Sequence, residues 1–188
     1  MSHDHDDYGF EKDYWGTCCN TFDEDQKQYV YARLMGLQQR HWSIVVPDIS
    51  VLDIGGGPTS MLLKTTGLSH GKVVDPIEYP QWTRDRYHMM NIEVDVKKGE
   101  DVTDLWWDEV WIYNCMQHAV DPGLIIDNAK RAAKVLRLFA WIDIPAHDGH
   151  SHELTEKALN KWIGASGGVT TLGESGCYGK AYFGVFEF

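Results

Sequence analysis

The sequence predicts an α/β chain, a three-layer sandwich on a seven-stranded, mostly parallel sheet whose last strand is antiparallel. Three observations predict it. Val51-Leu52-Asp53-Ile54-Gly55-Gly56-Gly57-Pro58 is an apolar strand that closes on an acid and runs into glycines, which let a backbone turn sharply and approach a ligand. A second strand, Lys72-Val73-Val74-Asp75, ends on an acid 22 residues later, the spacing of neighbouring strands in a nucleoside-binding βαβ unit. Finally, the last two strand-like segments, Val169 to Leu172 and Lys180 to Phe188, are separated by seven residues, too few for a parallel crossover, so they must pair antiparallel.

The elements follow in order. His3 to Asp7 is polar and acidic and reads as a frayed end. A helix is expected from Phe22 to about Gln39, with Asp23 and Asp25 favouring its start and Tyr29, Val30, Leu34 and Leu37 near one face. With Tyr14-Trp15-Gly16 before it, this segment has no strand to join and is expected to lie across the carboxyl edge of the sheet. Residues 1–44 are thus read as a tail and cap helix, and residues 45–188 as the ligand-binding domain. Strand one spans Ile49 to Ile54 and is followed by a helix from Ser60 to about Thr66. Strand two, Lys72 to Val74, leads through Pro80 to a helix at Gln81 to Met89, and strand three is Glu93 to Val96. After strand four, Glu109 to Tyr113, a helix runs from about Gly123 to Val135, with Pro122 at its head where a missing amide costs nothing. Strand five, Leu138 to Ile142, and a helix at Glu153 to Ile163 precede the closing pair of strands.

At 188 residues the chain suits one domain. Its net charge of −11, with no cluster of basic residues, disfavours nucleic acid. Four cysteines form neither a CxxC pair nor a disulfide framework, which fits a reducing interior. No signal segment or apolar run of membrane-spanning length is present, so no membrane is expected and the cytoplasm is the expected location.

The glycine turn narrows the ligand. Pro58 removes one amide and Ser60 stands where a dinucleotide fingerprint has its last glycine, so a pyrophosphate fits poorly and a nicotinamide oxidoreductase is a weak reading. A ligand that offers an ammonium to Asp53 and a ribose to Asp75 fits better, and S-adenosylmethionine has both. The glycine segment resembles motif I of the class I S-adenosylmethionine-dependent methyltransferases, and Val74-Asp75-Pro76-Ile77 resembles their acidic second motif. His118, Asp121 and Pro122 sit in register with the family's turn after strand four, and the resemblance covers about residues 45 to 188. It implies S-adenosylmethionine as cofactor, held by Asp53, Gly55, Gly56, Gly57, Asp75, Pro76, Ile77, Asn114 and Cys115, with Glu100 and Asp101 placed to meet the adenine amino group. One departure is Val135-Leu136-Arg137, where the family carries Pro-Gly-Gly before strand five, so that turn must be tighter or differently built.

The expected activity is methyl transfer to a small molecule or peptide side chain by in-line displacement. Such a reaction needs positioning and exclusion of water, and needs a base only if the acceptor arrives protonated. His118 is the candidate base. The alternative is a catalytically silent cofactor-binding domain acting as sensor or partner subunit. Asn114-Cys115-Met116-Gln117 matches neither the Pro-Pro-aromatic run of base-amino methylation nor the Pro-Cys nucleophile of cytosine-C5 chemistry. His147, Asp148, His150 and His152 have a spacing that can hold a divalent ion but read as a solvated loop, and no metal is assigned. Trp106, Trp107 and Trp111 are candidates for the floor of an acceptor pocket, with Trp111 the one most in keeping with core.

Overall fold

The computed structural model describes residues 9–15, 18–147 and 149–188; His3 to Asp7, Gly16 and Asp148 lie outside them. The described residues begin with two helices, α1 (Gly9–Trp15) and α2 (Cys18–Leu34). The strands are β1 (Gln38–Arg40), β2 (Ser43–Ile54), β3 (Thr65–Asp75), β4 (Ile92–Val96), β5 (Trp107–Tyr113), β6 (Ala133–Trp141), β7 (Gly168–Glu174) and β8 (Cys177–Glu187). Helix α3 (Gln81–Met89) lies between β3 and β4, α4 (Pro122–Ala132) between β5 and β6, and α5 (Glu156–Ile163) between β6 and β7.

One sheet runs in the order β4-β3-β2-β5-β6-β8-β7, parallel from β4 to β6, with β8 antiparallel to both of its neighbours. The reversal is made by Ser175 and Gly176, both at positive φ (51° and 76°), which suits the right-handed twist of a two-residue hairpin. The expected seven strands are present, and β1 adds an eighth by pairing antiparallel with β2. It arises because α2 stops at Leu34 rather than near Gln39: Gly36 takes a φ of 70°, and the amides of Gly36 and Leu37 turn back to Arg33 and Ala32. The cap segment therefore does join a strand.

Helices cover both faces. Ile125, Ile126 and Ala129 of α4, with Leu159 and Ile163 of α5, pack on Leu52, Val110, Ile112 and Leu138. On the other face Val30 and Tyr31 of α2 and Met35 just beyond it, with Tyr87 of α3, pack on Val51, Val73, Trp111 and Phe139. Trp111 is fully buried, Trp107 stacks on His70 at 5.0 Å, and Trp106 is exposed, so none of the three floors the cavity described below.

Two connections differ from expectation. No α-helix follows β2; Gly57–Thr59 and Met61–Lys64 form short 3₁₀ turns, and Thr65 and Thr66, expected to end a helix, begin β3. Where the turn before β6 was expected to be unusual, there is no turn at all: α4 ends at Ala132 and β6 begins at Ala133. Pro122 does head α4, and the Asp121 carboxylate accepts the Leu124 amide at 3.0 Å as its cap.

Candidate functional site

A cavity of about 480 Å³ opens at the carboxyl ends of β3, β2, β5 and β6, within the roughly 300–1,000 Å³ usual for small-molecule sites. Its floor is the glycine turn. The Gly55 amide donates to the Val74 carbonyl at 2.7 Å, and the Cys115 thiol to the Ile54 carbonyl at 3.3 Å, tying the end of β2 to both neighbouring strands. Gly55 and Gly57 have φ of 76° and 64°. A Cβ on Gly55 would stand 2.5 Å from Cys115, whereas one on Gly57 would meet nothing closer than Tyr79 at 3.8 Å.

Without a helix behind it, the turn needs other partners for its backbone. Side chains supply them. The Tyr87 hydroxyl donates to the Gly57 carbonyl at 2.6 Å and accepts the Ser60 amide at 2.9 Å. Tyr113 accepts the Met61 amide, and Gln28 of α2 donates to the Thr59 carbonyl at 2.6 Å. None of these three was read as a site residue in the sequence, because their partners lie about 30 to 50 positions away and only the fold joins them.

Of the expected site residues, Gly55, Gly56, Gly57, Asp75, Pro76, Ile77, Glu100, Asn114, Cys115 and His118 all line this cavity. Asp75 is buried, with Oδ2 accepting the Gly57 amide and Oδ1 the Ile77 amide, each at 3.0 Å, and Tyr79 adding a third bond. Burial pushes its pKa up to about 6 against the pull of those donors. Glu100 accepts the amides of Val120 and Asp121 at 2.8 and 2.9 Å, so it joins the loop after β4 to the turn after β5. Asp101 is exposed and lies off the cavity.

Asp53 is not where the ligand's ammonium was expected to meet it. It is fully buried and does not line the cavity: its Oδ2 accepts the hydroxyls of Ser60 and Tyr113, and a Cβ on Gly56 would come within 2.6 Å of that oxygen. Asp53 stands behind the turn and braces it. Burial raises its pKa to about 7.

The opposite wall comes from the amino-terminal helices. Phe10, Glu11, Tyr14 and Trp15 of α1 and Glu24, Lys27 and Gln28 of α2 line the cavity. Glu11 Oε1 lies 2.9 Å from His118 Nδ1, which also bonds the Gly149 carbonyl, while His118 Nε2 is 2.9 Å from the Gln117 amide. His147 stacks on His150 at 4.3 Å, and His150 meets His118 edge-on at 4.8 Å, where burial lowers its pKa to about 4. His152 turns away to bond the Val120 carbonyl at 3.1 Å, so the three histidines do not converge. Among the described residues no group of three or more His, Cys, Asp and Glu side chains is placed to hold a metal ion, and no helix is long and apolar enough to cross a membrane.

No protein-family model and no curated protein matches this sequence. Solved structures do match its fold. A magnesium protoporphyrin IX methyltransferase from Synechocystis with bound S-adenosylmethionine superposes with a TM-score of 0.66 at 14% identity, covering 100% of each chain. The N-methyltransferase NodS from Bradyrhizobium japonicum, in complex with S-adenosylhomocysteine, gives 0.71 at 13% identity over 96% of this chain and 97% of that one. An S-adenosylmethionine-dependent methyltransferase from Aquifex aeolicus gives 0.53 at 16% identity over 87% and 97%. The sheet order, the reversed β8 and these superpositions agree: the chain has the class I S-adenosylmethionine-dependent methyltransferase fold.

Proposed function

We propose that the protein binds S-adenosylmethionine in this cavity and transfers its methyl group to a small molecule or peptide side chain, with residues 1–44 as the cap and residues 45–188 as the cofactor domain. One observation carries the reading: a glycine turn, a strand-end acid and Asn114-Cys115 lie side by side at the ends of β2, β3 and β5, inside one cavity. The residues present fit the cofactor. Glu11, Glu24, Asp75 and Glu100 line the cavity against Lys27 as its one Lys or Arg among the described residues, a balance that favours a cationic ligand.

Gly55 to Gly57 give the ligand a floor without side chains. Asp75 has about four acceptor positions and uses three, leaving one for a ribose hydroxyl and a second if Tyr79 swings aside. When bound, S-adenosylmethionine supplies a methyl group activated by the adjacent positive sulfur. The chain supplies position, a wall of α1 aromatics against water, and His118 Nε2 to take a proton from the acceptor. The test is calorimetry with S-adenosylhomocysteine followed by transfer of labelled methyl to a metabolite and peptide mixture. Binding with turnover is expected; binding without turnover would leave a sensor, and no binding would end the reading.

A further inference from the structure

If Asp53 braces the turn from behind, the amino-acid end of the cofactor needs another anchor. We infer that Glu24 and Lys27, one turn apart on α2, clamp that end, Glu24 receiving the ammonium and Lys27 the carboxylate. The inference rests on the proposed cofactor and concerns where this chain departs from an acid at the end of the first core strand.

Topology sets the place. The neighbouring strands run β3, β2, β5, so a ligand whose ribose lies on Asp75 at the end of β3 crosses the glycine turn and ends over β5. There Asn114, held at a φ of 51°, donates its side-chain amide to Glu24 Oε1 at 3.0 Å. One turn further along α2, Gln28 holds the Thr59 carbonyl, so this face of the helix lies on the turn itself.

Glu24 is only 5% exposed, yet its partners leave it under-compensated. The Lys27 ammonium stands 3.9 Å away, beyond hydrogen-bond reach, and the Tyr31 hydroxyl approaches without making a well-aligned bond. A buried carboxylate in that position gains from a second donor carrying positive charge, and burial already raises its pKa. Lys27 is braced as well: its stem lies where a Cβ on Gly176, at the β7–β8 turn, would touch it at 3.6 Å. A loose carboxylate-ammonium pair of this kind matches a zwitterion, whose two charges can enter between them with each meeting its opposite.

Two probes separate this from a general effect on the site. S-adenosylhomocysteine carries the amino-acid end, and 5′-methylthioadenosine shares the nucleoside and the thioether without it. With the full chain, Glu24→Gln should weaken S-adenosylhomocysteine by roughly tenfold or more while moving 5′-methylthioadenosine by less than about twofold. Lys27→Met should cause a smaller, salt-dependent loss on the first probe only. The glutamine can still accept the Asn114 amide, and retained 5′-methylthioadenosine binding reports a folded site. Equal losses on both probes, or unchanged S-adenosylhomocysteine affinity, would overturn the clamp and leave the cofactor reading standing. A wild-type chain that binds neither probe would overturn both.

Discussion

Tyr113, at the end of β5, donates its hydroxyl proton to Asp53, at the end of β2, while the same oxygen accepts the Met61 amide at 2.9 Å. The pair lies entirely beneath the glycine turn, and Asp53 Oδ1 beside it has no partner. An acid that sequence alone assigns to a ligand is thus part of the support under the cavity's floor.

That burial makes a pH prediction. Asp53 has its pKa pushed up from 3.8 to about 7, so the folded chain keeps a proton that the unfolded chain releases. The resulting stability is fully present below the unfolded pKa, near pH 4, and is lost as pH rises through about 7. Asp53→Asn keeps an oxygen for Ser60 and Tyr113 and cannot ionise. Its melting temperature should exceed that of the wild type at about pH 8 and match it near pH 4. A wild-type advantage at the higher pH would mean that the ionised carboxylate is the form the turn requires.

Asp75→Ala should weaken S-adenosylhomocysteine binding by about 1.5–3 kcal/mol, the range for hydrogen bonds to a charged group, with the fold retained by circular dichroism. Part of that loss passes through Gly57 and Ile77, whose amides Asp75 holds. Because the wild-type carboxyl titrates near 6 and a ribose hydroxyl prefers the ionised form, affinity should fall as pH drops through that value. The dependence should vanish in the variant. An unchanged affinity would place the ribose elsewhere.

The two strained glycines should differ. Both carry positive φ, which costs a residue with a Cβ about 1–2 kcal/mol, but only Gly55 also meets Cys115 at 2.5 Å. Gly57→Asn should therefore keep measurable cofactor affinity, since asparagine tolerates this backbone, whereas Gly55→Asn should lose it together with several degrees of melting temperature. Equal behaviour of the two would remove the steric part of the argument.

What the sequence could disclose follows from range of interaction. The strand ends were legible because apolar runs closing on Asp53 and Asp75 are local signals, and α3 falls at Gln81–Met89 as its pattern predicts. The helix after β2 was misread for a local reason: Met61, Leu62 and Leu63 suit a helix, but Tyr87, Tyr113 and Gln28 reach in from distant elements and satisfy the backbone without one. The direction in which Asp53 points depends on Tyr113 and Ser60, whose hydroxyls it accepts. Glu24 and Lys27 escaped notice because an acid and a base three apart on a helix are ordinary on any solvated face; only the docking of α2 turns them into the cavity.

The last prediction concerns the proton. In the tautomer its neighbours favour, His118 donates from Nδ1 to the Gly149 carbonyl, with the Glu11 carboxylate 2.9 Å from the same nitrogen, which leaves Nε2 unprotonated and facing the Gln117 amide. Gln117 would have to yield that position to an acceptor, and its Nε2 has the Asn114 carbonyl at 3.2 Å to keep it satisfied. His150 beside it is held neutral through the physiological range, its pKa lowered to about 4 by burial, so it adds no positive charge to this side of the cavity. His118→Ala should leave S-adenosylhomocysteine affinity nearly unchanged and slow transfer by roughly 10²-fold or more. Glu11→Gln should give a smaller loss, because the carboxylate 2.9 Å from Nδ1 no longer helps to hold the imidazole in place. Since Glu11 comes from α1, cofactor should also slow hydrogen exchange in Gly9–Trp15, and deleting residues 1–20 should impair turnover more than it lowers the melting temperature. Unaltered turnover in His118→Ala would dismiss it as the base, and equal exchange with and without cofactor would make α1 simple packing.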